Sequence, residues 1–337
     1  MLTERQTKIL HSLIQEYITT ATPVASEIIA RKYNLEVSSA TVRNEMGELE
    51  REGYIVQPYT SAGRVPSTKG YRSYVETVEE SQLPPSEQTL IRHQFYQATK
   101  DIEEWIQLTA AILARMLHSV AIVSFPGAAE PRLKLVRLVS LEDFIALLLL
   151  VFEDRHFRQR TIFFDEPVSQ ESLETLSQRL TDTCSGLTIS EIKARKQVLT
   201  SLEDMILNVI LNMMTEDKDY ALKQPYFVGI SEILSQPEFV RSDKTRMLME
   251  LLEGRAILSS ILSQIAHDER LRVIIGNENP ESMMHDFSMV VGRYGVPDQA
   301  SGTIGIVGPT RMPYDRAVSA IRFLSDTMSE MVYNLYG

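Results

Sequence analysis

Two hydrophobic periods alternate along this chain. Near its start Ile9, Leu10, Leu13, Ile14 and Tyr17 recur at helical spacing, behind a Thr3/Gln6 pair that can cap a helix end reciprocally, which predicts a helix to about Thr19. Thr22-Pro23-Val24 breaks it, and Ser26 to Tyr33 supplies a second helix with Ile28 and Ile29 turned inward. The third is the most regular. Ser38 and Ser39 are capping types, Ala40 to Glu52 holds no proline, and Val42, Met46 and Leu49 fall at i, i+4, i+7. That stripe leaves Ala40, Asn44, Gly47 and Arg51 on the opposite face, flanked by Thr41 and Arg43. Gly47 in mid-helix costs about 1 kcal/mol relative to Ala, so a closely approaching backbone or nucleic-acid strand is expected beside it. Gly53 ends the helix. Tyr54-Ile55-Val56 is a short β run, 58–63 is rich in turn residues, and Arg64-Val65 begins a return strand that Pro66 stops. Three short helices and a small hairpin follow the winged helix-turn-helix order, and Lys69-Gly70-Tyr71-Arg72 closes this head.

Beyond it, 76–88 turns to Glu, Ser, Gln and Pro and reads as a linker. Thr89 to Ser119 is a long helical stretch, and Val120 to Phe125 an apolar β run stopped by Pro126-Gly127. Leu135–Leu141, Phe144–Phe152 and Phe157–Phe164 follow with turns short enough to imply an antiparallel meander. The middle run carries no charge and no polar alternation, so it is expected to be buried on both faces. Helical patterns occupy Ser169–Cys184 and Thr200–Met214, and a new run starts at Tyr226. Ser242–Ile265 is helical, Val273–Ile275, Ser288–Arg293 and Thr303–Val307 read as strands, and Tyr314–Tyr333 is a terminal helix. The whole is α+β.

Charge changes this picture in one respect. The formal net charge is −11, yet residues 1–75 hold nine Lys and Arg against eight Asp and Glu, which leaves 25 against 37 for the remainder. The acidic excess lies away from the head. Four acids, Glu45, Glu48, Glu50 and Glu52, sit on the third helix itself, so only its first half is expected to enter a nucleic-acid groove. There Asn44 suits adenine N6/N7 and Arg43 suits guanine O6/N7 or a phosphate. Ser39, Thr41, Thr60, Ser61 and Arg64 suit phosphate oxygens.

Catalytic alternatives find little support. The histidines at 11, 93, 118, 156, 267 and 285 are scattered, and Cys184 is the sole cysteine, so no metal or cofactor is expected. Gly302-x-x-Gly305-x-x-Gly308 lacks a phosphate-loop lysine and is read as a tight turn leading into the terminal helix. The longest apolar run, Phe144–Phe152, is half of what a membrane span needs (~18 residues) and no leader opens the chain, so a cytoplasmic protein without membrane contact is expected.

SSATVRNEMGELEREGYI followed by QPYTSAGRVPSTKGYRSYV resembles the heat-inducible transcription repressor family HrcA. The resemblance continues in PYFVGISEILSQPEF at 225–239, VIIGNEN at 273–279 and GTIGIVGPTRMPYDRA at 302–317. It departs at Tyr59, where the family usually carries His. What the resemblance implies is a winged helix-turn-helix over 1–75, the linker at 76–88, and a GAF-like α/β domain of 89–129 and 223–337. An inserted dimerisation domain, a three-stranded antiparallel sheet with helices, would occupy 130–222. It further implies a homodimer on an inverted-repeat operator, the CIRCE element, released on heat shock under feedback from the chaperonin GroEL. A winged-helix regulator controlled by a small metabolite in the GAF-like domain is the alternative.

Overall fold

In the computed structural model of the chain, Thr3 and Gln6 cap the first helix as their spacing requires: Thr3 N donates to Gln6 Oε1 at 3.0 Å and Gln6 N donates to Thr3 Oγ1 at 3.3 Å. The structure describes residues 2–336 apart from 34, 36, 61, 79–81, 99–100, 128–129, 154–156, 196–199, 224, 240–243, 254–269 and 298–299. The chain divides into two units. One comprises Met1–Val123, Tyr226–Arg293 and Thr303–Met328; the other comprises Ser124–Pro225, Tyr294–Gly302 and Ser329–Gly337.

The first unit begins with α1 (Glu4–Thr20), α2 (Ser26–Lys32) and α3 (Ser39–Arg51). Ile9, Leu10, Leu13 and Ile14 of α1 pack in one core with Ile29 and with Val42, Met46 and Leu49, all fully buried; Ile28 is only partly covered. Strands β1 (Ile55–Val56) and β2 (Val65–Pro66) pair antiparallel as the hairpin. Its base is fastened sideways, because Val24 N donates to Arg64 O and Arg64 N to Val24 O, both at 2.9 Å. That approach needs Gly63: a Cβ there would lie 2.5 Å from the carbonyl carbon of Val24. A further helix, α4 (Thr68–Val78), follows where the sequence pattern shows only a cluster of cations beside an aromatic. Ser67 Oγ accepts from Gly70 N at its first turn, and Tyr71, Tyr74 and Val75 are buried.

The stretch expected as one long helix is two. α5 (Pro85–Gln97) begins inside the Pro-rich stretch at 76–88, with Pro85 in the first helical position, where its missing N–H costs nothing. Ala98 is extended at ψ 150°, and α6 (Ile102–Leu117) restarts on the Asp101 cap. β3 (Val120–Val123) is fully buried.

In the second unit, β4 (Leu133–Glu142), β5 (Ile145–Phe152) and β6 (Phe157–Phe163) form the expected antiparallel meander, with Leu148 opposite Leu138 and Arg160. Helices α7 (Gln170–Cys184), α8 (Ile189–Ala194) and α9 (Ser201–Lys223) follow. Ala146, Leu148, Leu150 and Phe152 share a core with Leu173, Leu180, Ile206, Ile210 and Met214. The expectation for β5 is corrected here. Only alternate residues are buried, and Ile145, Leu147, Leu149 and Val151 stay half-covered on the other face. An uncharged strand announces two apolar faces, but it takes a second layer to bury the outer one, and none of the described helices supplies it.

The first unit resumes with β7 (Tyr226–Val228), α10 (Ile230–Leu234) and α11 (Lys244–Glu253). The remainder of the helix expected over 242–265 lies outside the described residues. β8 (Leu271–Ile275), β9 (Phe287–Val296), β10 (Ala300–Pro309) and α12 (Tyr314–Tyr336) complete the chain. Strand order is β7-β3-β10-β9-β8, with β3 antiparallel to both β7 and β10. Gly302, Gly305 and Gly308 are not in a turn. They lie within β10, where a Cβ would meet the Tyr294 ring, the Val290 carbonyl oxygen and Ser119 Oγ respectively; the turn itself is Thr310-Arg311. No described helix is long and apolar enough to cross a membrane.

The two faces of β5 should separate on truncation. Leu148→Ala should destabilise the protein by about 2–5 kcal/mol, as for a fully buried leucine, and Leu149→Ala by distinctly less at low protein concentration. Denaturant titration of both variants checks this, and equal losses would restore the doubly buried strand.

Candidate nucleic-acid interface

Ser38 sets the start of α3. Its Oγ accepts from Thr41 N at 3.1 Å and lies 2.9 Å from Thr41 Oγ1, so the Thr41 hydroxyl is partly engaged in the cap. Ser39, Ala40, Arg43 and Asn44 are exposed along the first two turns. Arg43 and Asn44 have no side-chain partner among the described residues, which leaves a guanidinium and an amide available to an external group.

Three of the acids on α3, Glu45, Glu48 and Glu50, are paired with cations of the same head. Arg5 Nε stands 3.4 Å from Glu45 Oε1, Arg51 pairs with Glu48 three residues earlier, and Arg64 reaches Glu50 through Nε at 3.0 Å and Nη2 at 2.9 Å. The outward face of the helix is therefore far less anionic than its sequence. Exposed pairs such as Arg51 with Glu48 add little stability, so what they change is the field met by a polyanion.

Arg64 takes a different place from the one expected. Its side chain is 18% exposed and spent on Glu50, and its backbone holds Val24. It braces the hairpin against α3. Thr60 is exposed at the hairpin tip, where Gln57 Nε2 donates to Thr60 O at 3.1 Å and to Ala62 O at 2.9 Å and so fixes the turn. Ser61 lies outside the described residues. Tyr59, beside them, is 64% exposed.

Sequence reasoning missed two supports of this surface. Gln57 is one. The other is Lys69, whose Nζ donates to Glu52 O at 2.7 Å at the end of α3 and lies 4.1 Å from the Tyr54 ring centre, a cation placed where the helix dipole is negative. The signal was present in Ser67-x-x-Gly70, a capping spacing, but a glycine in the first turn of α4 masks it.

Gly47 has an instructive environment. Nothing in the chain lies within 4 Å of the position a Cβ would take, so no internal contact requires a glycine there.

Against this geometry stand the known proteins. The family model for the HrcA protein C terminal domain matches residues 103–318. A heat-inducible transcription repressor HrcA from Dehalococcoides mccartyi is 40% identical over 337 residues, 100% of this chain and 98% of that protein. The chain belongs to the HrcA family of heat-inducible transcription repressors. The Roseiflexus castenholzii HrcA is 38% identical over 345 residues, covering 100% of this chain and 96% of its own. A crystal structure of a hypothetical protein, 24% identical, shares the fold with a TM-score of 0.61 over 99% of this chain and 98% of that one. An HrcA-family chain is a DNA-binding repressor and not an enzyme, and the head just described is where such binding would be built.

Gly47→Ala should raise the melting temperature, since helix propensity improves by up to about 1 kcal/mol and the new methyl meets no neighbour. Thermal unfolding of the variant beside the parent checks this, and a lower melting temperature would show that the fold itself needs the glycine.

Proposed function

We propose that α3 reads an inverted-repeat operator of the CIRCE type from the major groove, within a winged helix-turn-helix head of 1–75 whose hairpin lies along the phosphates. Arg43 and Asn44 make the base contacts, and Ser39, Thr41, Thr60 and Ser61 meet the backbone, with Arg64 holding the wing in reach of it. The observation that carries this is the first half of α3: an arginine and an asparagine side by side, unpartnered among the described residues, next to Glu45, Glu48 and Glu50, each held by a cation. Gly47 fits the same reading, as a position kept bare for a close external strand. A linker at 76–88 leads to a GAF-like domain of 89–129 and 223–337 carrying an inserted dimerisation domain at 130–222. The repressor works in the cytoplasm, with the DNA it controls.

The second copy in the homodimer meets the outer face of the meander. Register puts Leu135, Val151 and Phe157 in one row across that face, and Val139, Leu147 and Thr161 in another; Val139 is 45% exposed and Phe157 58%. The row between those two is Arg137, Leu149 and Gln159, so apolar patches flank a polar-edged centre; exposed apolar patches on a sheet are a liability to a monomer and a natural seat for a partner. The same surface, bare in an unpaired chain, offers GroEL its hold: the chaperonin keeps unpaired repressor from aggregating and delivers it for pairing, and heat-damaged clients compete this help away.

Competition across operators with single base changes tests the reading head. Asn44→Ala should relax preference at one position by about 1–3 kcal/mol, and equal weakening on every sequence would remove Asn44 from base reading. For chaperonin control, repressor refolded from denaturant should regain operator binding poorly alone and well with GroEL, and equal recovery in both would remove GroEL from the scheme.

A further inference from the structure

Three stretches outside the head carry the family resemblance, at 225–239, 273–279 and 302–317, and none of them has a part in the DNA contact just described. Within the first unit, side chains from all three converge on α4 and on the end of α1. The stretch at 273–279 supplies Glu278, whose carboxylate takes Arg72 of α4 in a fork: Arg72 Nε donates to Glu278 Oε1 at 2.8 Å and Nη2 to the second oxygen. Nη2 also donates to Val273 O at 2.8 Å. The stretch at 302–317 supplies Arg311, and that at 225–239 its two anchors. Arg311 Nη2 donates to Glu238 Oε2 at 3.1 Å and to Gln236 Oε1 at 2.8 Å, Nε donates to Glu238 Oε1, and Nη1 donates to the carbonyl oxygen of Ile18. Ile18 is in the last turn of α1, where carbonyls lack helical partners and the dipole is negative, so a guanidinium is well placed there.

The Arg72–Glu278 pair is about one third exposed, at 34% and 31%, whereas the Arg311–Glu238 pair is largely buried. Arg311 is 10% exposed and Glu238 19%. Burial, the largest single influence, would raise the Glu238 carboxyl, but the hydrogen bond from Arg311, a backbone hydrogen bond and the charges of Arg311 and Lys244 together hold it below its ordinary value. Between the two arginines, the ring of Tyr71 on α4 lies 5.4 Å from that of Tyr314, and both side chains are buried. A head on a free tether needs none of this. A head seated by two forked arginines and a buried aromatic pair has one attitude.

We propose that Arg72 and Arg311 are positioning residues for operator binding: they seat the head on the body at a fixed attitude, so that the two heads of a dimer stand ready for two half-sites. This rests on the reading of a two-headed dimer on an inverted repeat. Seating matters only when both heads must bind together, because one head can orient itself on a lone half-site, whereas two mobile heads lose the high effective concentration that rigid linkage supplies. No DNA contact by either arginine is involved.

The experiment measures the full-length protein on two duplexes, the complete inverted-repeat operator and one carrying a single half-site. The parent should prefer the complete operator strongly; a parent with no such preference fails the two-headed reading before any substitution is made, and the inference with it. Arg311→Ala and Arg72→Ala should each lower affinity for the complete operator by about ten-fold or more, leave half-site affinity unchanged, and speed amide exchange in α4. Pairing Arg72→Glu with Glu278→Arg should recover much of the loss, which separates positioning from misfolding. Equal loss on both duplexes, or no loss on either, overturns the proposal. So does tighter binding to the complete operator, which would make the seat an inhibitory clamp.

Discussion

A chain with a net charge of −11 has to approach a polyanion, and the way its own acids are held decides much of the head. Glu50 is the centre of that arrangement. By taking the Arg64 guanidinium it removes a negative charge from the face of α3 and, in the same contact, ties the hairpin to the helix. Val24 fastens the other side of the hairpin base through two backbone bonds, and Gly63 makes the necessary room. Electrostatic masking and mechanical bracing are therefore one feature. A head with the hairpin loose would also be a head with the Glu50 carboxylate unpaired from Arg64.

Much of this was readable from the residues because it is local. The stripe Val42, Met46 and Leu49 and the Ser38 cap are short-range patterns, and α3 forms where they put it. So does the hairpin between Tyr54 and Pro66. What escaped reading depends on distance or on a missing neighbour. Arg64 suits phosphate by type alone, and its pairing with Glu50 fourteen residues away appears only once the hairpin folds back. The β5 run has an uncharged sequence that cannot say whether a second layer exists for its outer face. The spacing of Gly302, Gly305 and Gly308 resembles a loop, whereas each glycine is required by a different neighbour crowding one strand. Arg72 and Glu278 lie 206 residues apart, and Arg311 and Ile18 lie 293 apart, so no window along the chain contains both partners.

The body behaves as two different kinds of surface in consequence. Around β10 the packing is close: a Cβ would lie 2.6 Å from the Tyr294 ring at Gly302, 2.7 Å from Ser119 Oγ at Gly308 and 3.0 Å from the Val290 carbonyl oxygen at Gly305. The outer face of β5 is the opposite, half-covered and apolar, and its neighbours across the register are Leu135, Arg137 and Val139 on β4 and Phe157, Gln159, Thr161 and Phe163 on β6. Close packing is concentrated around β10, and half-covered apolar side chains on the outer face of β5.

The long separation of those arginine contacts also has a consequence in time. Elements α1 to α4 and the hairpin all lie within the first 78 residues, but Glu278, Arg311 and Tyr314, which contact α1 and α4, are made near the end of synthesis. For most of translation the emerging polypeptide therefore carries the N-terminal head without those partners. On the seating proposed above, a chain truncated by a late frameshift would keep the residues of α3 and lose the contacts that orient them, so changes near the C-terminus would weaken DNA binding without touching a residue that meets DNA.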